Sequence, residues 1–515
     1  MLYKFGPYTL DADRCELRLN TDRVDLEPQV FSVLCYLVQE RARIVTRDDL
    51  ISAVWNSRFV SDSTINSRIS AVRKIIDDHG SSESMIRSFP RRGYRFVAGV
   101  ETEVQASDHA QAVALAPSSL RSSIVVLPFT NLSREPEQDD FIDGLVDDIT
   151  TALTQFRQLI VVPRSLCISF RGRTADVTQI TRELNVRYAL EGTLRKDGKR
   201  IRINMQLVDS RTGANLWARR FESDQKKGFE FQDRLTASVV GEVVSKLEQA
   251  EIDFHRRTSL ATPDAYSRVM RGTSSLYEWT PASIDAALEQ YQLAMNADPD
   301  FAPAYAMASY CYVQRQSFGG LLDRSKEAAE GVSLAWRAAE LGKNDSHALT
   351  RAAHGISTLG QDIGGGMSLV EQAIALNPNF AAAWYVRGWL RVFHGDAAGA
   401  LADLDHARRL SPYDRLVFKI NAAMAYAHFF AGRYDDASQF ALSAIRERPN
   451  YMTGLRVAAA SDAAAGRRST AKPLVARMTE LDPHLGISTL PLLLPLRPTD
   501  LCKWADSLRS AGLPD

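Results

Sequence analysis

The chain has 515 residues, 45% hydrophobic and 24% charged, with 62 basic residues matched by 62 acidic ones. That length exceeds one hydrophobic core and predicts about three or four domains, while the zero net charge excludes a uniformly basic surface, so any nucleic-acid contact must be locally concentrated. Five scattered cysteines, Cys15, Cys35, Cys167, Cys311 and Cys502, contain no CxxC pair, and no zinc, iron–sulfur or disulfide framework follows from their spacing.

Residues 1–100 alternate short β-like stretches with amphipathic helices. Leu26-Glu27-Pro28 predicts a helix start, because proline is tolerated in the first turn. Phe31, Leu34, Leu37 and Val38 then make an apolar stripe. Thr46 predicts the cap of a second helix carrying Leu50, Val54 and Trp55. Ser63 to Ile76 predicts a third helix with two unlike faces. Ile65, Ile69, Val72 and Ile76 fall on one apolar stripe, and the other side offers Ser63, Ser67, Ser70 and Lys74 flanked by Asn66 and Arg73. Such a face suits a major groove, where hydroxyl, amide and guanidinium groups reach base edges and phosphates. Arg73 is expected to touch DNA without serving the fold.

From Ile86 to Phe96 two β-like arms flank Pro90 to Gly93, a hairpin tip carrying Arg91 and Arg92. Residues 63–98 hold seven basic and three acidic residues, a net +4. The strings TRDDLISAVW, INSRISAVRK and PRRGYRF, in this order and spacing, make residues 3–98 resemble the OmpR/PhoB-type winged-helix family, in its branch without a receiver domain. The resemblance implies that the third helix enters the major groove and that the hairpin wing meets the adjacent minor groove or backbone. By position it assigns DNA contacts to Ser63, Asn66, Ser67, Arg68, Ser70, Arg73 and Lys74, and wing roles to Arg91, Arg92 and Tyr94. The stretch Val72-Arg73-Lys74-Ile75-Ile76 departs from the family's usual LRxKL ending, so base preference does not transfer.

Residues 101–121 are rich in Ala, Ser and Gln and predict a linker. Residues 122–255 predict an α/β domain. Ser123–Phe129 is a buried strand, 139–156 a helix, 159–163 a strand and 177–184 a helix. Arms 188–195 and 201–208 flank a turn at Lys196–Lys199, followed by a strand at 215–221 and a helix from about 228 to 250. This region is similar to TolB-like domains found beside such winged helices. Asp139, Asp140, Asp143, Asp147 and Asp148 form an acidic cluster best read as a solvated helix start. Arg164 and Arg171 to Arg173 are read as solvent-facing. No phosphate loop or nucleophile elbow occurs, so neither a catalytic residue, a metal nor a cofactor is expected.

From residue 260 to 515, prolines at 299, 378, 412, 449 and 483 are separated by 79, 34, 37 and 34 residues. A period near 34 is the tetratricopeptide (TPR) signature. Trp384, Gly388, Ala400, Leu404 and Ala407 fit its pattern, as do Ala287, Tyr291 and Ala294, and Gly432, Tyr434, Ala437 and Ala444. Five to six repeats and a capping helix near 498–511 are expected. The predicted architecture is thus multidomain: an α+β winged helix-turn-helix, an α/β middle domain and an all-α TPR superhelix.

These expectations describe a cytoplasmic, one-component regulator of transcription that binds double-stranded promoter DNA and a protein partner through the TPR groove, and that is compatible with a homo-oligomer. No apolar run reaches the roughly 18 residues that span a bilayer, and no signal peptide is read. The competing reading is a TPR scaffold whose winged helix serves protein contacts.

Overall fold

The computed structural model describes residues 2–515 apart from 12–15, 21, 25, 56–59, 61, 78–83, 91, 104–121, 134, 136–137, 168–169, 171–176, 198–199, 225–227, 259–262, 322 and 413–416. Two units are found, Met1–Ser119 and Leu120–Asp515.

The first unit contains β1 (Leu2–Phe5), β2 (Tyr8–Asp11), β3 (Glu16–Leu19), β4 (Asp22–Val24), α1 (Pro28–Gln39), α2 (Arg47–Trp55), α3 (Asp62–Ile75), β5 (Ile86–Phe89), β6 (Gly93–Phe96) and β7 (Glu101–Glu103). Strands β1 to β4 form an antiparallel meander, and β7 pairs with β1 at its edge. Glu101–Glu103, inside the segment read as linker, is therefore ordered by Leu2–Lys4. The rest of that segment, 104–121, lies outside the described residues. Alternation along β2 and β3 drives Leu10 and Leu17 into the core beside Phe5, Leu34, Leu37 and Phe96.

Helix α1 begins at Pro28, whose missing N–H would have had no partner in the first turn. Helix α2 begins with a reciprocal cap. The Asp49 N–H donates to Thr46 Oγ1 at 3.2 Å, and the Thr46 N–H donates to Asp49 Oδ2 at 2.9 Å.

In the second unit, β8 (Ser123–Val126), β9 (Thr130–Asn131), α4 (Gln138–Thr154), β10 (Ile160–Val161), α5 (Arg164–Cys167), α6 (Val177–Glu183), β11 (Tyr188–Asp197), β12 (Arg200–Asp209), β13 (Ala214–Asp224) and α7 (Gly228–Arg257) form an α/β layer. The sheet order is β10-β8-β11-β12-β13, parallel around β8 and antiparallel beyond β11. The β-branched run of β8 is buried on both faces: Ile124 and Val126 meet α4 and α7, while Val125 and Leu127 meet the Cys167 and Ile180 side. Pro128 follows directly, so the strand stops short of the expected Phe129. Arg187 donates to Glu251 at 2.7 Å and pairs with Asp209 at 3.3 Å, fastening α7 to the sheet end.

The remaining helices are α8 (Ala265–Leu276), α9 (Pro281–Ala297), α10 (Ala302–Phe318), α11 (Arg324–Leu341), α12 (Ser346–Thr358), α13 (Ile363–Leu376), α14 (Ala381–His394), α15 (Ala397–Leu410), α16 (Val417–Phe430), α17 (Tyr434–Glu447), α18 (Met452–Ala464), α19 (Arg468–Leu481) and α20 (Pro498–Ala511). Among the described residues these make six helical hairpins and a terminal helix, a TPR-like array. Pro299, Pro378, Pro412, Pro449 and Pro483 each stand two residues beyond the end of a hairpin's second helix, where proline stops helix propagation. Within hairpins a glycine faces a large side chain: a Cβ on Gly272 would press on the Tyr291 ring, and one on Gly388 on Leu404.

Candidate nucleic-acid interface

Helix α3 is anchored by Ile65, Ile69 and Val72, with Ile76 just beyond its last turn; all four are buried. Each such side chain contributes about 1.5–3 kcal/mol by leaving water, which fixes the helix's rotation about its axis. Ser63, Asn66, Ser67, Ser70 and Lys74 are consequently exposed, as their spacing predicts.

The two arginines of the helix are less exposed than these neighbours. Arg68 pairs with Glu27, just ahead of α1, at 2.5 Å. Arg73 reaches the hairpin, where its Nη2 donates to the Ile86 carbonyl at 2.8 Å and to Ser88 Oγ at 2.9 Å. Contrary to the expectation that Arg73 does not serve the fold, it ties α3 to β5.

Tyr94 lies on β6 with its ring buried at 8% exposure, and its hydroxyl donates to Asn66 Oδ1 at 2.7 Å. Its backbone exchanges two hydrogen bonds with Val45, at 2.8 and 2.9 Å, so the hairpin is continued by the segment between α1 and α2. Gly93 makes this approach possible: its φ is +128°, and a Cβ there would collide with the Val45 carbonyl. Tyr94 thus sits beneath the helix rather than at the hairpin tip. Arg92 is exposed beside that tip, and Arg91 lies outside the described residues. Arg87, exposed on β5, is a cation to which the sequence reading gave no role; its place opposite Arg95 in the hairpin register was the available signal.

Next to this surface, the Thr46 backbone N–H and the Arg43 guanidinium hold the Asp49 carboxyl below the usual carboxylate range. That carboxylate is therefore committed to capping α2. The exposed groups of α3 named above are hydroxyls, an amide and one ammonium. Together with Arg87 and Arg92 they can donate to phosphates and to base acceptors.

Four members of the acidic cluster, Asp139, Asp143, Asp147 and Asp148, have partners inside the second unit. Arg164 pairs with Asp143 at 3.3 Å and Asp147 at 2.5 Å, Asn131 donates to Asp139, and Gln232 donates to Asp148. Arg164, read as solvent-facing, instead clamps α4. Among the described residues no group of three or more His, Cys, Asp or Glu is arranged to hold a metal ion. No helix among them is long and apolar enough to cross a membrane.

Two family models match the chain: "Transcriptional regulatory protein, C terminal" at residues 21–96 and "HilA/YgeH-like transcriptional regulator, second domain" at 120–238. Over 189 residues the chain is 35% identical to "Putative adenylate cyclase 3" of Rhizobium meliloti, covering 37% of this chain and 32% of that protein. It therefore spans about a third of that relative's length. Over 414 residues it is 23% identical to the transcriptional regulator HilA of Salmonella typhimurium, covering 80% of this chain and 70% of HilA. The transcriptional activator CadC of Escherichia coli is 28% identical over 98 residues, 19% of each chain. The solved DNA-binding domain of E. coli CadC aligns with a TM-score of 0.19 at 25% identity, covering 20% of this chain and 96% of that one.

Proposed function

We propose, from the premise that residues 21–96 form an OmpR/PhoB-type transcriptional regulatory domain followed by a HilA-like second domain, that this chain is a sequence-specific DNA-binding regulator of transcription. The observation that carries the reading is the exposed, acid-poor face of α3, fixed outward by its isoleucines. Ser63, Asn66, Ser67, Ser70 and Lys74 enter the major groove. Arg92 and Arg91 meet the backbone from the hairpin, and Arg87 adds a third cation there. Arg73, Arg68 and Tyr94 act chiefly by holding this surface in shape, and the two arginines reach phosphates from its margin.

In this reading residues 1–103 grip DNA, and 122–255 with 260–515 receive a signal and a protein partner. Helical-repeat arrays offer extended surfaces for such partners. The protein works in the cytoplasm, and self-association would raise avidity for paired sites. The test is genome-wide co-precipitation of DNA with the full chain, followed by gel retardation of the recovered promoter fragments. Recovery of the same fragments by a Lys74→Ala/Arg92→Ala variant would refute this interface. Recovery of proteins but no DNA would instead favour a scaffold whose winged helix binds protein.

A further inference from the structure

Within the second unit, α7 packs against α8 and α15, and Gly241 comes so close to the Leu410 carbonyl that a Cβ would collide with it. Phe156, just past α4, meets the Phe380 ring edge-on at 6.1 Å. The α/β layer and the repeats are thereby joined at two places. Between them lies a cavity of about 580 Å³, a size that suits a small ligand.

Its walls include Trp279, Met307, Tyr310, Phe380 and Tyr385. Two cations share one of these rings. The Arg351 guanidinium stacks 4.2 Å from the Tyr310 centroid, and Lys419 Nζ stands 5.0 Å from the same centroid and 3.7 Å from that of Trp279. Lys419 also donates to the Tyr310 hydroxyl.

Three of the acids lining the cavity, Glu251, Asp345 and Asp300, have other partners. Glu251 accepts from Arg187 and Tyr188, and Asp345 caps α12 by accepting from the His347 and Ala348 N–H groups. Asp300 is exposed and pairs with Arg337 at 3.6 Å. Two buried donors in the walls, Arg351 Nε and Trp279 Nε1, meet no acceptor. Buried donors of this kind call for an acceptor, and a negatively charged one gains most. Burial and the neighbouring Arg351 lower the pKa of the His347 imidazole to about 3.

We propose that this cavity binds a small organic carboxylate with an apolar body. The carboxylate lies between Arg351 and Lys419, and the body packs against Met307, Phe380 and Tyr385. Because α7 already occupies this side of the repeats, the occupant is a compact molecule rather than an extended peptide. The inference stands apart from DNA recognition, since ligand binding is read without DNA.

Titration calorimetry of the full chain with 1-naphthoate and octanoate, each against its neutral amide, tests the assignment and separates aromatic from aliphatic bodies. At least one carboxylate is expected to bind saturably and about tenfold or more tighter than its amide. Arg351→Gln should weaken that carboxylate about tenfold. Ala382→Phe, which keeps both cations and fills the cavity, should abolish binding. The proposal is overturned if neither carboxylate binds, if acid and amide bind alike, or if binding survives Ala382→Phe. Should Arg351→Gln not fold, as read by circular dichroism, Lys419→Met takes its place with the same expected loss.

Discussion

Replacing Tyr94 by Phe removes a single hydroxyl from beneath the proposed recognition helix. The ring stays buried, and the bond lost is the one donated to Asn66 Oδ1 at 2.7 Å. Because Asn66 is exposed, water can satisfy the released oxygen, so the loss is that of a satisfied hydrogen bond, about 0.5–1.5 kcal/mol. The hydroxyl also fixes the amide, with Oδ1 turned towards the wing and Nδ2 left to donate. An asparagine held this way cannot offer both atoms to adenine, as bidentate reading requires. It donates through Nδ2 alone, to a base acceptor or a phosphate. Freeing the side chain should therefore weaken DNA binding about two- to tenfold without changing its salt dependence, because no cation is removed.

Fluorescence anisotropy of a labelled promoter fragment, titrated with the full chain over a salt series, measures both quantities. In a double-mutant cycle with Asn66→Ala, Tyr94→Phe should add almost nothing once the amide is gone. Additivity of the two within about 0.3–0.5 kcal/mol would refute the claim that Tyr94 acts through Asn66.

Lys74→Ala, at an exposed position, should leave thermal melting unchanged and reduce the log–log salt slope by about 0.9, as loss of one phosphate contact requires; an unchanged slope removes Lys74 from the interface. Arg73→Ala should cost about 1.5–3 kcal/mol of stability in the first unit, since charged donation to Ile86 and Ser88 is lost, and hydrogen exchange of β5 should rise; unaltered exchange would contradict the tie described here. Gly93→Ala should lower the melting temperature and abolish DNA binding together, because both its φ and the Val45 carbonyl oppose a side chain. His354 is buried, and burial followed by Arg351 and Lys419 depresses its pKa to about 3. A base with a depressed folded pKa makes its stability contribution above the unfolded value near 6.5, and that contribution is lost as pH falls towards 3. His354→Gln should flatten the acid limb of the second unit's melting temperature, and an unchanged limb would place the titration elsewhere.

How far the sequence could be read followed the range of the interactions involved. The α3 stripe was legible because Ile65, Ile69, Val72 and Ile76 repeat at the helical period, and the hairpins of the repeats were legible because Pro378, Pro412, Pro449 and Pro483 punctuate them evenly. Both signals lie within a few dozen residues. The pairing of Glu101–Glu103 with Leu2–Lys4 joins segments about a hundred residues apart and leaves no local trace in three polar residues. The same holds for the candidate interface. Exposure of Asn66 followed from its spacing, whereas its bond to Tyr94, 28 positions away, depends on a hairpin folding back. Arg73 was read as a free cation because a helical projection shows which way a side chain starts, not where a long one ends.

The facing of Gly272 by Tyr291 and of Gly388 by Leu404 makes each of these two hairpins a fitted pair with its own key. Transplanting the segment 397–410 into the place of 281–297 would set a leucine where a tyrosine ring is housed, leaving a hollow and removing the hydroxyl that meets Thr273 Oγ1 at 3.2 Å. The array is regular in outline but not interchangeable in its parts, so shuffling or duplicating modules should proceed by whole hairpins and not by single helices.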